Sequence, residues 1–227
     1  MANKTPQEQP NALDKVNDSL LGIEEKVAKN QKTIMWFCVA CAAVFVLGIC
    51  YYMFIRQPAI DGGNDAIGVA DMELISGNDS LALKQYQTVA DQYGHDAGNR
   101  ANLNAAIILY SQGKYQEALD YVKKYSADEN IIGATSKSLE GDCLVNLDKL
   151  DEALACYKAA ESKSDENPAL TPYFILKQAT VYDAQKNYAA AAEAYQTIID
   201  KYPFFGPQLN IDIEKYLERA KAQAGNK

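Results

Sequence analysis

Apolar residues follow three patterns along this chain. Leu13, Val16, Leu20, Ile23 and Val27 recur at spacings of 3, 4, 3 and 4. That phase places them on one face of a short amphipathic helix over residues 13–30, behind a polar, proline-bearing start that is expected to be disordered. Residues 34–55 (IMWFCVACAAVFVLGICYYMFI) break the alternation, with 22 positions and no charge. At about 1.5 Å per residue that run covers the roughly 30 Å hydrocarbon core of a bilayer. Residues 56–63, with Pro58 and the pair Gly62 and Gly63, read as a linker. Beyond it the apolar positions recur with helical spacing up to the C-terminus.

The third pattern is a repeat. Four phrases share a turn, then an obligatory small residue, then an aromatic or apolar residue four positions later and another apolar residue three after that. The triples are Ala82/Tyr86/Val89, Ala118/Val122/Tyr125, Ala153/Tyr157/Ala160 and Ala191/Tyr195/Ile198. Their alanines lie 36, 35 and 38 residues apart. Spacings of four and three put each triple on one helix face. Twelve positions before each alanine stands another small residue: Ala70, Ala106, Gly141 and Ala179. Two antiparallel helices joined by a tight turn would bring each such pair face to face. A last amphipathic helix carries Leu209, Ile213, Tyr216, Leu217 and Ala220 on its apolar stripe. The fold class expected is therefore all-α. One transmembrane helix (34–55) would precede a solenoid of about four helix-turn-helix repeats (64–203) and a C-terminal capping helix and tail (204–227).

Charge orients the anchor. Lys26, Lys29 and Lys32 lie just before the apolar run, and Arg56 follows it, succeeded by Asp61, Asp65, Asp71 and Glu73. The positive-inside rule then puts residues 1–33 in the cytoplasm and exports the rest. Trp36, Tyr51 and Tyr52 sit where aromatic rings prefer the interface. The run is too long, and lies too far behind polar residues, for a cleaved signal peptide. Residues 57–227 hold sixteen Lys and Arg against twenty-five Asp and Glu. That acidic surface argues against binding a phosphate backbone, so no nucleic-acid partner is expected.

Candidate chemistry is sparse. His95 sits in a Gly/Asp/Asn stretch with no His or Cys at ligand spacing, so no metal site is expected. Cys38 and Cys41 spell C-x-x-C inside the apolar run, where a redox pair would lack the polar surroundings that stabilise a thiolate. Cys143 and Cys156 are expected to be two buried thiols. Neither G-x-S-x-G, H-E-x-x-H nor a glycine-rich phosphate loop occurs. No enzyme activity, cofactor or small-molecule substrate is expected.

The repeat resembles the tetratricopeptide repeat, a helix-turn-helix unit of 34 residues. Gly141 matches that family's helix-A glycine, Tyr182 its helix-A tyrosine, and Ala82, Ala118, Ala153 and Ala191 its first helix-B alanine. Ala160 matches the second alanine and Pro203 the proline. Gly77 and Gly113 match the turn glycine, which Asp148 and Lys186 replace in the third and fourth units. The signature tryptophan is missing from all four. The resemblance implies a concave partner-binding face lined by helix A. Its inward positions here would be Ile107, Tyr110, Thr135, Ser138, Asp142, Asn146, Tyr173, Leu176, Thr180 and Asp183. These are apolar, hydroxyl-bearing, amide or acidic, which suits an extended segment of apolar or basic character and repels a carboxylate.

A short cytoplasmic start, one span and an exported four-repeat domain are also similar to the membrane-anchored ancillary subunit of the Sec translocon, in the form seen in Bacteroidetes. That resemblance implies a bacterial inner-membrane protein with a periplasmic repeat domain. Its partners would be translocon subunits, a prolyl-isomerase-like periplasmic chaperone and newly exported polypeptides. A scaffold for another envelope assembly, in cell-wall or outer-membrane biogenesis, fits the same features.

Overall fold

The computed structural model describes residues 29–127 and 129–225. The amphipathic stretch at 13–30 thus lies almost wholly outside the described residues. The chain divides into two units, Met1–Pro58 and Ala59–Lys227.

In the first unit, α1 (Gln31–Tyr51) is followed by a π-helical stretch, Tyr52–Arg56. None of their side chains is buried. By length and composition this helix can cross a membrane. Gln57 alone separates the π-helical stretch from Pro58. A proline gives no N–H to the ladder and crowds the carbonyl four residues back, here that of Phe54, so a locally widened helix accommodates it.

The remaining helices are α2 (Gln57–Ile75), α3 (Asp79–Gln92), α4 (His95–Ser111), α5 (Tyr115–Val122), α6 (Asn130–Asn146) and α7 (Leu150–Lys163). They continue with α8 (Thr171–Ala184), α9 (Tyr188–Lys201), the short α10 (Phe205–Leu209) and α11 (Ile213–Gly225). No strand occurs among the described residues. The stretch read as a linker is helical instead. Gly63 is buried in α2, and a Cβ there would stand 3.0 Å from the Ala97 Cβ and 3.2 Å from the Tyr93 ring. The glycine that resembled a breaker is a point of close approach within the helix. His95, in the Gly/Asp/Asn stretch, opens α4.

Four helical hairpins follow one plan: α2/α3, α4/α5, α6/α7 and α8/α9. At each hairpin turn one residue has a left-handed backbone: Gly77 (φ 79), Gly113 (φ 75), Asp148 (φ 58) and Lys186 (φ 59). Two backbone bonds close each turn. In the first hairpin the Gly77 N–H donates to the Leu74 carbonyl and the Asn78 N–H to that of Glu73. The same pair recurs at Gly113 and Lys114, at Asp148 and Lys149, and at Lys186 and Asn187. This is the Schellman arrangement, which satisfies the last carbonyls of the first helix. The residue carrying the second N–H also accepts the first helical bond of the next helix, as Asn78 does from Ala82. The connection is thus as short as it can be, and it fixes the spacing of twelve between the facing small residues.

Ala70, Ala82, Ala106, Ala118, Ala153, Ala179 and Ala191 have no exposed surface, and Gly141 is buried. Each helix from α3 to α9 packs on its neighbour in sequence, and α11 packs on α9. One apolar cluster extends from Ile67 through Leu109, Leu144 and Tyr157 to Val181, and a second from Ile175 to Ala220. Through Ile213, Leu217 and Ala220, α11 buries the face that α9 would otherwise leave open.

Candidate functional site

The candidate interaction positions lie on the first helices of the last three hairpins (α4, α6, α8). A buried tyrosine on the second helix decides much of their chemistry. Tyr86, Tyr157 and Tyr195 each stand sixteen positions after their hairpin's small residue and are nearly fully buried. A buried phenol needs an acceptor. The Tyr86 hydroxyl donates to Asp71 Oδ1 (2.6 Å), that of Tyr157 to Asp142 Oδ1 (2.7 Å), and that of Tyr195 to Asp183 Oδ2 (2.9 Å). Asp71 and Asp142 follow their small residue directly, and Asp183 lies one helical turn further on. Second-hairpin residues lack both groups: Val122 replaces the tyrosine and Ile107 the aspartate.

Each of these carboxylates also meets a cation from the following helical layer. Arg100 of α4 pairs with Asp71. Lys177 of α8 reaches both oxygens of Asp142 at 2.7 and 2.6 Å and donates to the Ser138 hydroxyl at 2.9 Å. Arg219 of α11 reaches Asp183 Oδ2 at 3.0 Å. Lys177 Nζ also lies 5.5 Å from the Tyr157 ring centroid and 4.8 Å from that of Tyr173, within cation–π range. Between α4 and α6, where the aspartate and tyrosine are missing, the link is neutral and longer: Asn146 Nδ2 donates to the Tyr110 hydroxyl at 3.4 Å. A polar bridge therefore joins each successive pair of layers along this face.

Burial raises the tyrosines' pKa values, and the adjacent aspartates add to the shift. Tyr86 is pushed up to about 12. Tyr157 and Tyr195 go higher still for the same reasons. Burial also moves Tyr110 upward. Tyr86, Tyr157 and Tyr195 are thus held as neutral donors. Burial likewise raises the thiols of Cys143 and Cys156 to about 11, and both are free of a disulfide.

The ten inward candidates divide into two groups. Ile107 (50 % exposed), Thr135, Asn146, Tyr173 (43 % exposed) and Thr180 face solvent. Ser138 is buried, while Tyr110, Asp142, Leu176 and Asp183 are half-buried, and Ser138, Tyr110, Asp142 and Asp183 belong to the bridges just described. The acidic character expected of the face is thus largely compensated from within. Sequence reasoning passed over Asp71, Arg100, Lys177 and Arg219. A signal for the first was present, since Asp71/Tyr86 and Asp142/Tyr157 share a separation of fifteen residues. No comparable spacing marks the three cations. Asp183, Leu176 and Thr180 also border a pocket of about 310 Å³ closed by Tyr195, Ile211, Tyr216 and Arg219. Among the described residues no group of three His, Cys, Asp or Glu side chains could hold a metal ion.

Stacked helical hairpins with Schellman turns and small residues at the crossing points define an α-solenoid of the kind that presents a surface to other proteins. The chain belongs to the tetratricopeptide repeat-like domain family, which matches residues 63–179, and a tetratricopeptide repeat matches residues 173–204. This fold is typically a non-catalytic interaction scaffold. Similar solved structures include the MamA protein, at 18% identity with a TM-score of 0.59 over 72% of this chain and 82% of that one. A second is MamA 41-end from Desulfovibrio magneticus RS-1, at 15% identity and 0.53 over 74% and 97%. A third is a putative kinesin light chain from Podosopora anserina with nearly identical TPR-like repeats, at 14% and 0.54 over 72% and 87%. At such identities the likeness concerns the fold alone. No curated protein matches the sequence.

Proposed function

We propose that this protein is a non-catalytic interaction module held on the bacterial inner membrane by α1, with residues 1–33 in the cytoplasm and the repeats in the periplasm. In this reading it is an ancillary subunit at the Sec translocon. It holds a prolyl-isomerase-like chaperone or an emerging polypeptide near the channel. The observation that carries the reading is one chain uniting an unburied apolar helix, flanked by lysines on one side and acids on the other, with a tetratricopeptide domain. The interaction positions support it further. Their charges are paired internally, and the groups left exposed, Ile107, Thr135, Tyr173 and Thr180, are uncharged. Such a row suits segments that are unfolded and rich in apolar side chains.

A photoreactive residue at Ile107 or Tyr173, activated in intact membranes, tests the proposal. Crosslinks to translocon subunits, a periplasmic chaperone or exported chains are expected. Recovery of cytosolic proteins alone would overturn it, and protease protection of the repeat domain in intact cells checks the orientation separately.

A further inference from the structure

The junction between α6 and α8 and the junction between α8 and α11 carry related constellations of aspartate, tyrosine and cation. In the first, Asp142 accepts from Tyr157, and Lys177 lies over two tyrosine rings while engaging both carboxylate oxygens. At the second, Asp183 accepts from Tyr195, and Arg219 lies 5.2 Å from the Tyr216 ring, which itself stacks on Tyr195. Here both donors converge on Oδ2, and the buried Oδ1 accepts from no described residue. A buried carboxylate oxygen without a donor is costly. Asp183 also lines the pocket of about 310 Å³, whose walls include Leu176 and Ile211. The corresponding place at the first junction has Ser138 where the pocket has Leu176, so the second site is the more apolar of the two.

We infer that this pocket takes a lysine side chain from an extended polypeptide, its ammonium binding Asp183 and its methylene stem lying along Leu176 and Ile211 beside the stacked rings of Tyr195 and Tyr216. This rests on the reading that the helix-A face engages exported polypeptide. Lys177 against Asp142 shows within this molecule that an ammonium can take the place that Arg219 holds against Asp183. A lysine places a compact charge at the carboxylate and packs its stem on apolar walls. Arg219 is the group that gives way: its side chain is 54% exposed and Asp183's is 15% exposed, so the arginine can swing into solvent as the ammonium arrives. The domain's net negative charge favours the approach of a basic segment.

The test uses the full-length protein in mild detergent and a short fluorescent peptide of alternating leucine and serine with one central lysine. Companion peptides replace that lysine by acetyl-lysine or arginine. The lysine peptide is expected to bind about tenfold more tightly than the acetyl-lysine peptide. Asp183→Asn should erase that preference, and Arg219→Ala should enlarge it by removing the internal competitor. Circular dichroism of each variant separates lost binding from lost folding. Equal binding of the lysine and acetyl-lysine peptides, a preference that survives in folded Asp183→Asn, or arginine binding as tightly as lysine would each overturn the assignment. Failure of every peptide would overturn it too while leaving the anchored-module reading intact, because crosslinking in membranes tests that reading independently.

Discussion

Replacing Gly141 by alanine should destabilise the repeat domain, although alanine is the better helix former. A Cβ at this position would stand 2.5 Å from Cε1 and 2.8 Å from Cδ1 of Tyr157. Relief requires the ring to retreat by about 1 Å, since ordinary carbon contacts lie near 3.5–4.0 Å. That ring is buried and its hydroxyl is fixed to Asp142 at 2.7 Å, so the retreat also strains the hydrogen bond. Overpacking costs about 1–3 kcal/mol. Weakening a bond to a charged acceptor adds up to about 1.5 kcal/mol. The helix-propensity gain from glycine to alanine returns about 0.5–1 kcal/mol. The net loss is about 2 kcal/mol, a fall of about 5 °C in Tm for a domain of this size. Gly68→Ala supplies the contrast: no atom lies within 4 Å of its added Cβ, so only the propensity gain of up to about 1 kcal/mol should remain. Thermal and urea melts of the full-length protein in detergent, followed by circular dichroism, read both variants. Should Gly141→Ala melt at or above the wild-type temperature, the close crossing of α6 and α7 would be refuted.

Gly113→Ala should cost about 1 kcal/mol by a different route, since its site is open but its φ of 75° disfavours any Cβ; a urea melt reads it. Tyr157→Phe leaves Asp142 with Lys177 alone and should cost about 1.5 kcal/mol in the same assay, with a non-additive result when combined with Lys177→Met. Stability should fall as pH rises above about 10. The unfolded tyrosines then lose protons that folded Tyr86, Tyr157 and Tyr195 retain, so the stabilisation present below pH 10 is progressively lost; denaturant midpoints between pH 8 and 11 show it. Cys143 and Cys156, with thiols raised to about 11, should resist iodoacetamide at pH 8 in the folded state and react fully in denaturant, as peptide mapping by mass spectrometry would report.

Much of the fold was legible because helical hairpins are local. The spacing of twelve from Ala179 to Ala191 and the turn equivalence of Gly77, Gly113, Asp148 and Lys186 follow from one backbone geometry. A reader of the chain can count it, even where two of the four turns lack the glycine. Gly62 and Gly63 misled for the complementary reason. A glycine read alone resembles a breaker, whereas Gly63 is set inside a helix by the Tyr93 ring and Ala97 thirty or more residues away.

The candidate face was legible only as a set of positions. Asp142 and Asp183 stood in the sequence as free charges on an acidic face, and nothing local indicates that Lys177 and Arg219 reach them from the next layer. Such pairs join residues 35 and 36 apart, beyond any helical period. By itself the sequence determined the all-α class, the four-unit repeat and the one helix apolar enough for a bilayer, because each is written in periodicity within a helix or hairpin. Tertiary structure alone decided which charges are paired, which side chains stay exposed and where Asp183 keeps an oxygen without a donor. Those outcomes depend on how one hairpin stacks on the next, and side chains meeting across that interface leave no period in the chain.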